Sequence, residues 1–326
     1  MTYNPTLRDK TTALSFAADR CVILLLPLVW SVYAYGLRAL FITLISIIFS
    51  VAFAFGVKAV LKQKADAFTL LDTAVSGAVF AFTLPVSVPY YIPMLGGVLA
   101  AVPSLWLPRG RKPFFGGFFA AAAVRTFFPK LLSRATQAFV YVSPFIFNPT
   151  EADINSFRTY TPLQLLAQGK VSSGTLWDQF YGTISGNIGE ISFMLLLLGC
   201  IFLLVRKKMR WHTPAVFAFV LCLITLIFPK GDNEAIFFML VSLLSGGAML
   251  TAVFAFSDTC SMPVTDTGKI AFAVGTAVLT VLIRYLGIAE EGVYAAVVIM
   301  GAITPIIDRY TLPVAYGRTK VKGGKK

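Results

Sequence analysis

Residues 72–85 read D-T-A-V-S-G-A-V-F-A-F-T-L-P, and the stretch A-V-F-A-F-T at 78–83 returns as A-V-F-A-F-S at 252–257. Each copy follows small residues, V-S-G at 75–77 and L-S-G-G at 244–247. Each also precedes a proline, Pro85 or Pro263. The second copy starts 174 residues after the first, in a chain of 326. One element per half is the mark of a duplicated architecture. Small residues and a proline break inside apolar sequence are the pattern of discontinuous helices meeting at a membrane midplane.

The composition agrees. Hydrophobic residues make up 57% of the chain and charged residues 13%, with a mean hydropathy of +0.78. A soluble domain carries about twice that share of charge. Disordered chains, disulfide scaffolds and ordinary soluble enzymes are therefore excluded. Apolar runs cover roughly 19–36, 39–61, 70–86, 88–107, 114–129, 188–205, 213–229, 235–257, 268–287 and 292–307. The expected fold is an all-α polytopic membrane protein of about ten transmembrane helices. Five spans in each half place the halves in opposite orientations. The expected organisation is a first five-helix repeat at 1–129, an outer loop at 130–187, a second repeat at 188–308 and a basic tail at 309–326.

The formal charge of +13 does not point to nucleic acid, because the basic residues flank apolar runs and form no patch with interleaved aromatics. Alternating the spans puts 20 of the 28 Lys and Arg on one face. Both termini are then cytoplasmic, in a bacterial inner membrane. The polar 130–187 segment lies outside and is too long for a passive connector. The four cysteines (21, 200, 222 and 260) lie in or beside apolar runs and read as buried thiols. No metal-ligand cluster, phosphate loop or nucleophile motif is present, and His212 reads as an interfacial anchor.

Ionisable groups in or beside membrane segments are costly, which makes them functional candidates. Asp72 and Asp258 flank the two copies of the repeated element, and Glu190 opens the sixth run. Asp308 reads as a helix end facing water; Arg125 either pairs with a phosphate or a carboxylate or snorkels to the interface. The glycine pairs at 96–97 and 116–117 read as packing contacts. Ser245, Gly246 and Gly247, beside the repeat, are ligand-contact candidates.

Several longer stretches resemble one family. They are G-T-I-S-G-N-I-G-E-I-S (182–192), R-W-H-T-P (210–214) and L-L-S-G-G-A-M-L (243–250). S-D-T-C-S-M-P-V-T-D-T-G-K (257–269) and I-T-P-I-I-D-R-Y-T-L-P-V-A-Y-G (303–317) continue the pattern. Together with 72–85, they resemble the RnfD/NqrB family. RnfD belongs to the Rnf electron-transport complex, and NqrB is its counterpart in the sodium-pumping NADH:quinone oxidoreductase. The resemblance implies a urea-transporter-like fold of two inverted five-helix repeats. It also implies an integral flavin carrier that couples ferredoxin/NAD(H) redox chemistry to Na⁺ or H⁺ translocation. Its partners are then other membrane and peripheral subunits and the lipid bilayer, with NAD and iron–sulfur sites on other chains.

In that family one FMN is esterified to a threonine on the outer side, and a second, non-covalent riboflavin is associated with the sodium-pump members. The family's S-G-A-T-P-L aligns with R-T-Y-T-P-L at 158–163. Thr161 keeps the acceptor hydroxyl and Pro162 follows it, but Arg158, Thr159 and Tyr160 replace the small residues. These departures count against covalent loading of Thr161. Thr175, in S-S-G-T, is a weaker second acceptor. Arg158 is instead placed to pair with the phosphate of a non-covalent FMN. The competing expectation is a flavin-free channel, transporter or scaffold on the same fold, with a pore near Asp72, Ser76, Ser245 and Asp258.

Overall fold

A computed structural model describes residues 13–62, 66–109, 112–132, 135–136, 139, 158–167, 174–229, 234–245, 247–287 and 291–312. Their regular secondary structure is helical apart from one short antiparallel pair. The first half holds α1 (Ala13–Tyr35), α2 (Leu37–Val60), α3 (Ala67–Phe82), α4 (Tyr91–Ala101) and α5 (Gly116–Phe127). α4 runs on into a 3₁₀ segment, Val102–Arg109, where Pro103 removes a helical donor. The connecting segment carries α6 (Pro129–Leu132), β1 (Ala135–Thr136), β2 (Arg158–Thr159), α7 (Pro162–Ala167) and α8 (Gly174–Tyr181). The second half holds α9 (Phe193–Val205), α10 (His212–Ile227), α11 (Ala235–Leu244), α12 (Ala248–Phe254), α13 (Asp266–Tyr285) and α14 (Val293–Thr311).

Among the described residues, α1, α2, α13 and α14 are long and apolar enough to cross a bilayer. α11 and α12 make a fifth such segment if taken together, bent by 47° across their break. The chain is thus a multi-pass membrane protein, with outward helix faces carrying exposed Leu25, Val29, Ile48, Phe219 and Leu282. Water-facing helices would bury those residues; lipid does not require it.

The repeated element behaves alike in both places. A-V-F-A-F-T ends α3 and A-V-F-A-F-S follows through the end of α12. Thr83 donates its hydroxyl to the Phe80 carbonyl, and Ser257 does the same to Phe254. Each hydroxyl donates to a carbonyl in the last turn of its helix, where acceptors outnumber backbone donors.

After α3 the chain is non-helical as far as Tyr90, because Pro85 and Pro89 cannot continue a helix. Buried carbonyls in that stretch need donors. Arg38 supplies them from α2, with Nε 2.8 Å from Val86 O and Nη2 2.9 Å from Val88 O, and its guanidinium lies over the Tyr90 ring. Charge counting places Arg38 among the outward-flanking cations, but it is buried because the proline stretch needs its donors.

The helices pack closely where small residues meet backbone. A Cβ on Gly97 would stand 2.5 Å from Ser46 O, and one on Gly116 2.0 Å from Ala100 O. α2 packs on α3 and α4, and α4 on α5. In the second half α10 packs on α11 and α13, and α13 on α14. Across the halves, α1 meets α9 and α5 meets α14.

Candidate functional site

Two polar clusters sit at opposite ends of the bundle, both between the halves. The first gathers the start of α1, the start of α3, the residue Lys112 ahead of α5, and the turn after α12. Lys112 Nζ lies 2.7 Å from Asp72 Oδ2 and 3.2 Å from Asp258 Oδ2. Arg20 Nη1 lies 3.6 Å from Asp72 and 3.4 Å from Asp258. Both carboxylates are 1% exposed. Ser104 donates to Asp72 at 3.1 Å and Ser261 to Asp258 at 2.6 Å. Two positive and two negative charges thus balance in a closed group. A buried charge without its partner is strongly unfavourable, so these four act as a unit.

The second cluster lies where α1, α3 and α5 end and α9, α12 and α14 begin. Its frame is the segment 182–192. Trp30 Nε1 donates to Gly182 O at 3.2 Å, and Ser31 donates to Ile188 O. Ile188 and Gly189 donate their backbone N–H groups to Leu84 and Phe82. Fixed in this way, the segment directs Asn187 and Glu190 inward. The Asn187 amide donates to Glu190 Oε2 at 2.9 Å and to Glu291 Oε1 at 2.8 Å. Arg125 pairs with Glu291 at 2.6 Å, donates to Thr83 O at 2.8 Å, and lies over the Tyr294 ring. Of the two alternatives for Arg125, the structure shows the carboxylate partner: buried Glu291 holds it inward, and it does not snorkel.

This second cluster borders a small cavity of about 30 Å³. Its polar lining includes Thr161, Gln179, Ser185, Asn187, Glu190, Ser245 and Glu291, and its apolar walls include Leu163, Ile184, Ile191 and Leu244. That volume holds one or two waters, which its polar lining can bind. Thr161 caps α7. It accepts the Gln164 N–H at 3.2 Å, while its own N–H donates to Gln164 Oε1 at 2.9 Å. This is a capping box, with Pro162 at the first helical position.

The α11–α12 break supplies the facing wall. Gly247 has φ +66°, and a Cβ there would stand 2.1 Å from the Tyr294 hydroxyl and 2.9 Å from Glu190 Oε1. Only glycine meets both demands. Ser245 lines the cavity, donates to Val241 O, and offers its carbonyl to Arg284.

Thr161, Ser245, Gly247 and Glu190 thus converge, while Asp72 and Asp258 meet at the other end. Gly246 lies outside the described residues, as do the side chains of Arg158 and Thr175. Ser76, named for a pore, is buried in α3. Asp308, expected to face water, is buried and accepts the Val264 N–H at 3.0 Å. That bond satisfies a donor in the turn before α13. The described residues contain no candidate metal cluster, and all four cysteines are free.

Sequence reasoning missed Lys112, Arg20, Asn187, Gln179 and Glu291 as site residues. Asn187 and Glu190 share one quoted stretch, which was the available signal. The others lie too far apart in sequence to suggest a meeting.

Residues 1–317 match the model of the NQR2, RnfD, RnfE family. The chain belongs to that family. It is 31% identical over 325 residues to the D subunit of the Na(+)-translocating ferredoxin:NAD(+) oxidoreductase complex of Acetobacterium woodii, covering 98% of this chain and 95% of the relative. It is 28% identical to the D subunit of the proton-translocating ferredoxin:NAD(+) oxidoreductase complex of Clostridium ljungdahlii, over 91% of this chain and 89% of the relative. The D subunit of an ion-translocating oxidoreductase complex from Halorhodospira halophila is 28% identical, over 90% and 88%. The polar groups beside Thr161 suit the family's resident flavin by chemistry, while the enclosed space between them has room only for water. The cavity holds buried polar atoms without partners among the described residues, on Gln179 and on Glu190 Oε1.

Proposed function

We propose that this chain is the RnfD membrane subunit of an Rnf-type complex, passing electrons through a flavin held at Thr161. Its partners are the other subunits of that complex, and the overall process couples ferredoxin/NAD(H) redox chemistry to Na⁺ or H⁺ translocation. One observation carries the flavin reading: unpartnered buried polar groups lie beside the aligned threonine, in the small cavity that it helps to line. A flavin supplies electron transfer in one- or two-electron steps.

The chain's own residues do the remainder. Thr161 offers an attachment hydroxyl at the rim. Leu163, Ile184, Ile191 and Leu244 restrict water. Asn187, Glu190 and Glu291 form a polar wall, with Arg125 paired to Glu291, and preorganised charges of that kind set the potential of whatever lies beside them.

We further propose ten crossings in two inverted five-helix repeats, in a bacterial inner membrane with cytoplasmic termini. The symmetric packing supports this: α2–α3, α2–α4 and α4–α5 correspond to α10–α11, α10–α13 and α13–α14. The corresponding pairs α1–α9 and α5–α14 meet across the centre, as a two-fold relation requires. The matching hydroxyl bonds of Thr83 and Ser257 support it too.

The channel reading receives less support. Arg20 and Lys112 stand between Asp72 and Asp258, so a cation route there needs those pairs to open.

The test is the flavin content of the protein, purified after co-expression with its partner subunits and a flavin transferase. We expect a flavin spectrum. A band fluorescing after denaturation means an ester, and Thr161→Ala should abolish it. Colour lost on denaturation means a non-covalent flavin. A colourless protein would overturn the reading.

A further inference from the structure

A larger cavity, of about 350 Å³, lies beside the first cluster at the other end of the bundle. Its apolar side comes from the first turns of α1 and α3, through Ala13, Phe16 and Phe68. Its polar side comes from Lys207 and Lys208, in the turn after α9, and from Thr259 after α12. The 23 residues of α1 make a helix of about 35 Å, against a hydrocarbon core of about 30 Å. The first turn of α1 therefore lies where hydrocarbon gives way to headgroups. Leu14 and Val205, close in sequence to the lining residues, are exposed as lipid-facing residues are.

The charge around this cavity does not balance. Lys208 Nζ is drawn inward, 3.8 Å from Asp19 and 3.2 Å from Ser15 Oγ. Asp19 is already paired with Arg206 at 2.9 Å. Lys207 is exposed and makes no ion pair among the described residues. Three cations thus face one carboxylate, and among the described residues no Asp or Glu lines the cavity. The adjoining group of Arg20, Lys112, Asp72 and Asp258 is neutral by itself and does not offset the surplus. Surplus positive charge over an apolar wall, at headgroup depth, complements an anion that carries hydrocarbon. Basic pockets between transmembrane helices bind lipid headgroups in this way.

We propose that this cavity seats the headgroup of an anionic phospholipid. Lys207 and Lys208 face its phosphate, Thr259 donates to a phosphate oxygen, and Phe16 and Phe68 pack on the glycerol and the start of the acyl chains. The inference needs only the membrane class of the chain and is independent of the flavin reading.

The turn after α9 supplies a variant that spares the fold. Lys207 has φ +54°, and the N–H groups of Lys207 and Lys208 donate to Leu204 O and Leu203 O. Glycine is the residue best suited to that left-handed position. Lys207→Gly should therefore remove the charge and melt no lower than wild type when lipid-free. Lys62, at the end of α2, is the control: it is exposed, has φ +53°, and does not line the cavity. Lys62→Gly makes the same change in the same backbone conformation elsewhere.

The full-length protein, delipidated in neutral detergent, is titrated with dioctanoyl phosphatidylglycerol, dioctanoyl phosphatidylcholine and inorganic phosphate. Wild type should prefer phosphatidylglycerol to both other probes. Lys207→Gly should weaken that binding about fivefold, the factor that one lysine near an anionic lipid contributes. Lys207→Arg and Lys62→Gly should bind as wild type does. Equal affinity for the two lipids overturns the inference. Equal losses in Lys207→Gly and Lys62→Gly overturn it too, because diffuse surface charge then explains the binding. So does a matching loss in Lys207→Arg, which keeps the charge. Inorganic phosphate binding as tightly as phosphatidylglycerol overturns the lipid and leaves a site for free phosphate.

Discussion

Lys112 shows what a single residue can hide. In the sequence it belongs to a basic stretch, R-G-R-K, and counts among the flanking cations of the cytoplasmic face. In the fold it is buried against Asp72 and Asp258, whose nearest sequence neighbour to it is 40 residues away. Counting charges treats every lysine as a surface lysine; only the pairing of α3, α5 and α12 removes this one from the count. The prediction belongs here. Lys112→Met leaves two carboxylates facing Arg20 alone and should cost about 3–5 kcal/mol. Adding Asp258→Asn restores the charge balance and should recover much of that loss. Thermal unfolding in detergent completes the double-mutant cycle, and strictly additive effects would show that the two residues do not act as a pair. Asp72 and Asp258 were visible as candidates because carboxylates beside apolar runs are conspicuous. Their cationic partners were not, since basic residues at membrane edges are ordinary.

At the scale of elements, α7 joins architecture to chemistry. The sequence T-P-L-Q at 161–164 forms a capping box, so the threonine that the family reading assigns to flavin also starts a helix. Thr161→Ala removes that cap and should weaken the local turn by about 1 kcal/mol. Thr161→Ser keeps an acceptor and should restore it. Hydrogen exchange of the Gln164 amide measures the difference, and equal protection in both variants would show that the cap does not hold α7. The comparison also guards the flavin test: lost flavin in Thr161→Ala with normal flavin in Thr161→Ser assigns the effect to the hydroxyl. The repeated element was the most readable part of this level. A-V-F-A-F-T and A-V-F-A-F-S end their helices with the same side-chain bond, since Thr and Ser both present a hydroxyl three residues after the same carbonyl. The α11–α12 break was readable as small residues. Its function as one wall of a cavity was not, because the opposite wall comes from the 161–191 region.

For the whole molecule, the two clusters define two ends. Arg210 is exposed at the end holding Asp266 and the start of α10, while Thr183 is exposed at the end holding the 182–192 segment. With the native cysteines replaced, Thr183→Cys should react with a membrane-impermeant maleimide in intact cells. Arg210→Cys should react only after permeabilisation. Labelling of both from the same side would overturn the proposed orientation. Hydropathy made the membrane class legible early. The longest polar stretch was legible only as a loop, because its short pairings have no periodicity.

Those pairings carry one more consequence. β1 and β2 pair through Ala135 with Thr159 and Thr136 with Arg158, and Thr136 also bridges to Gly186. Tyr35 and Ser87 bind Thr136 from the bundle. The chain is therefore basted to the helices on both sides of residues 140–157, like fabric gathered at a seam. The seam fixes Arg158 and Thr159 two residues ahead of Thr161, so the threonine's place beside the bundle is set by Thr136 as much as by the helix it caps.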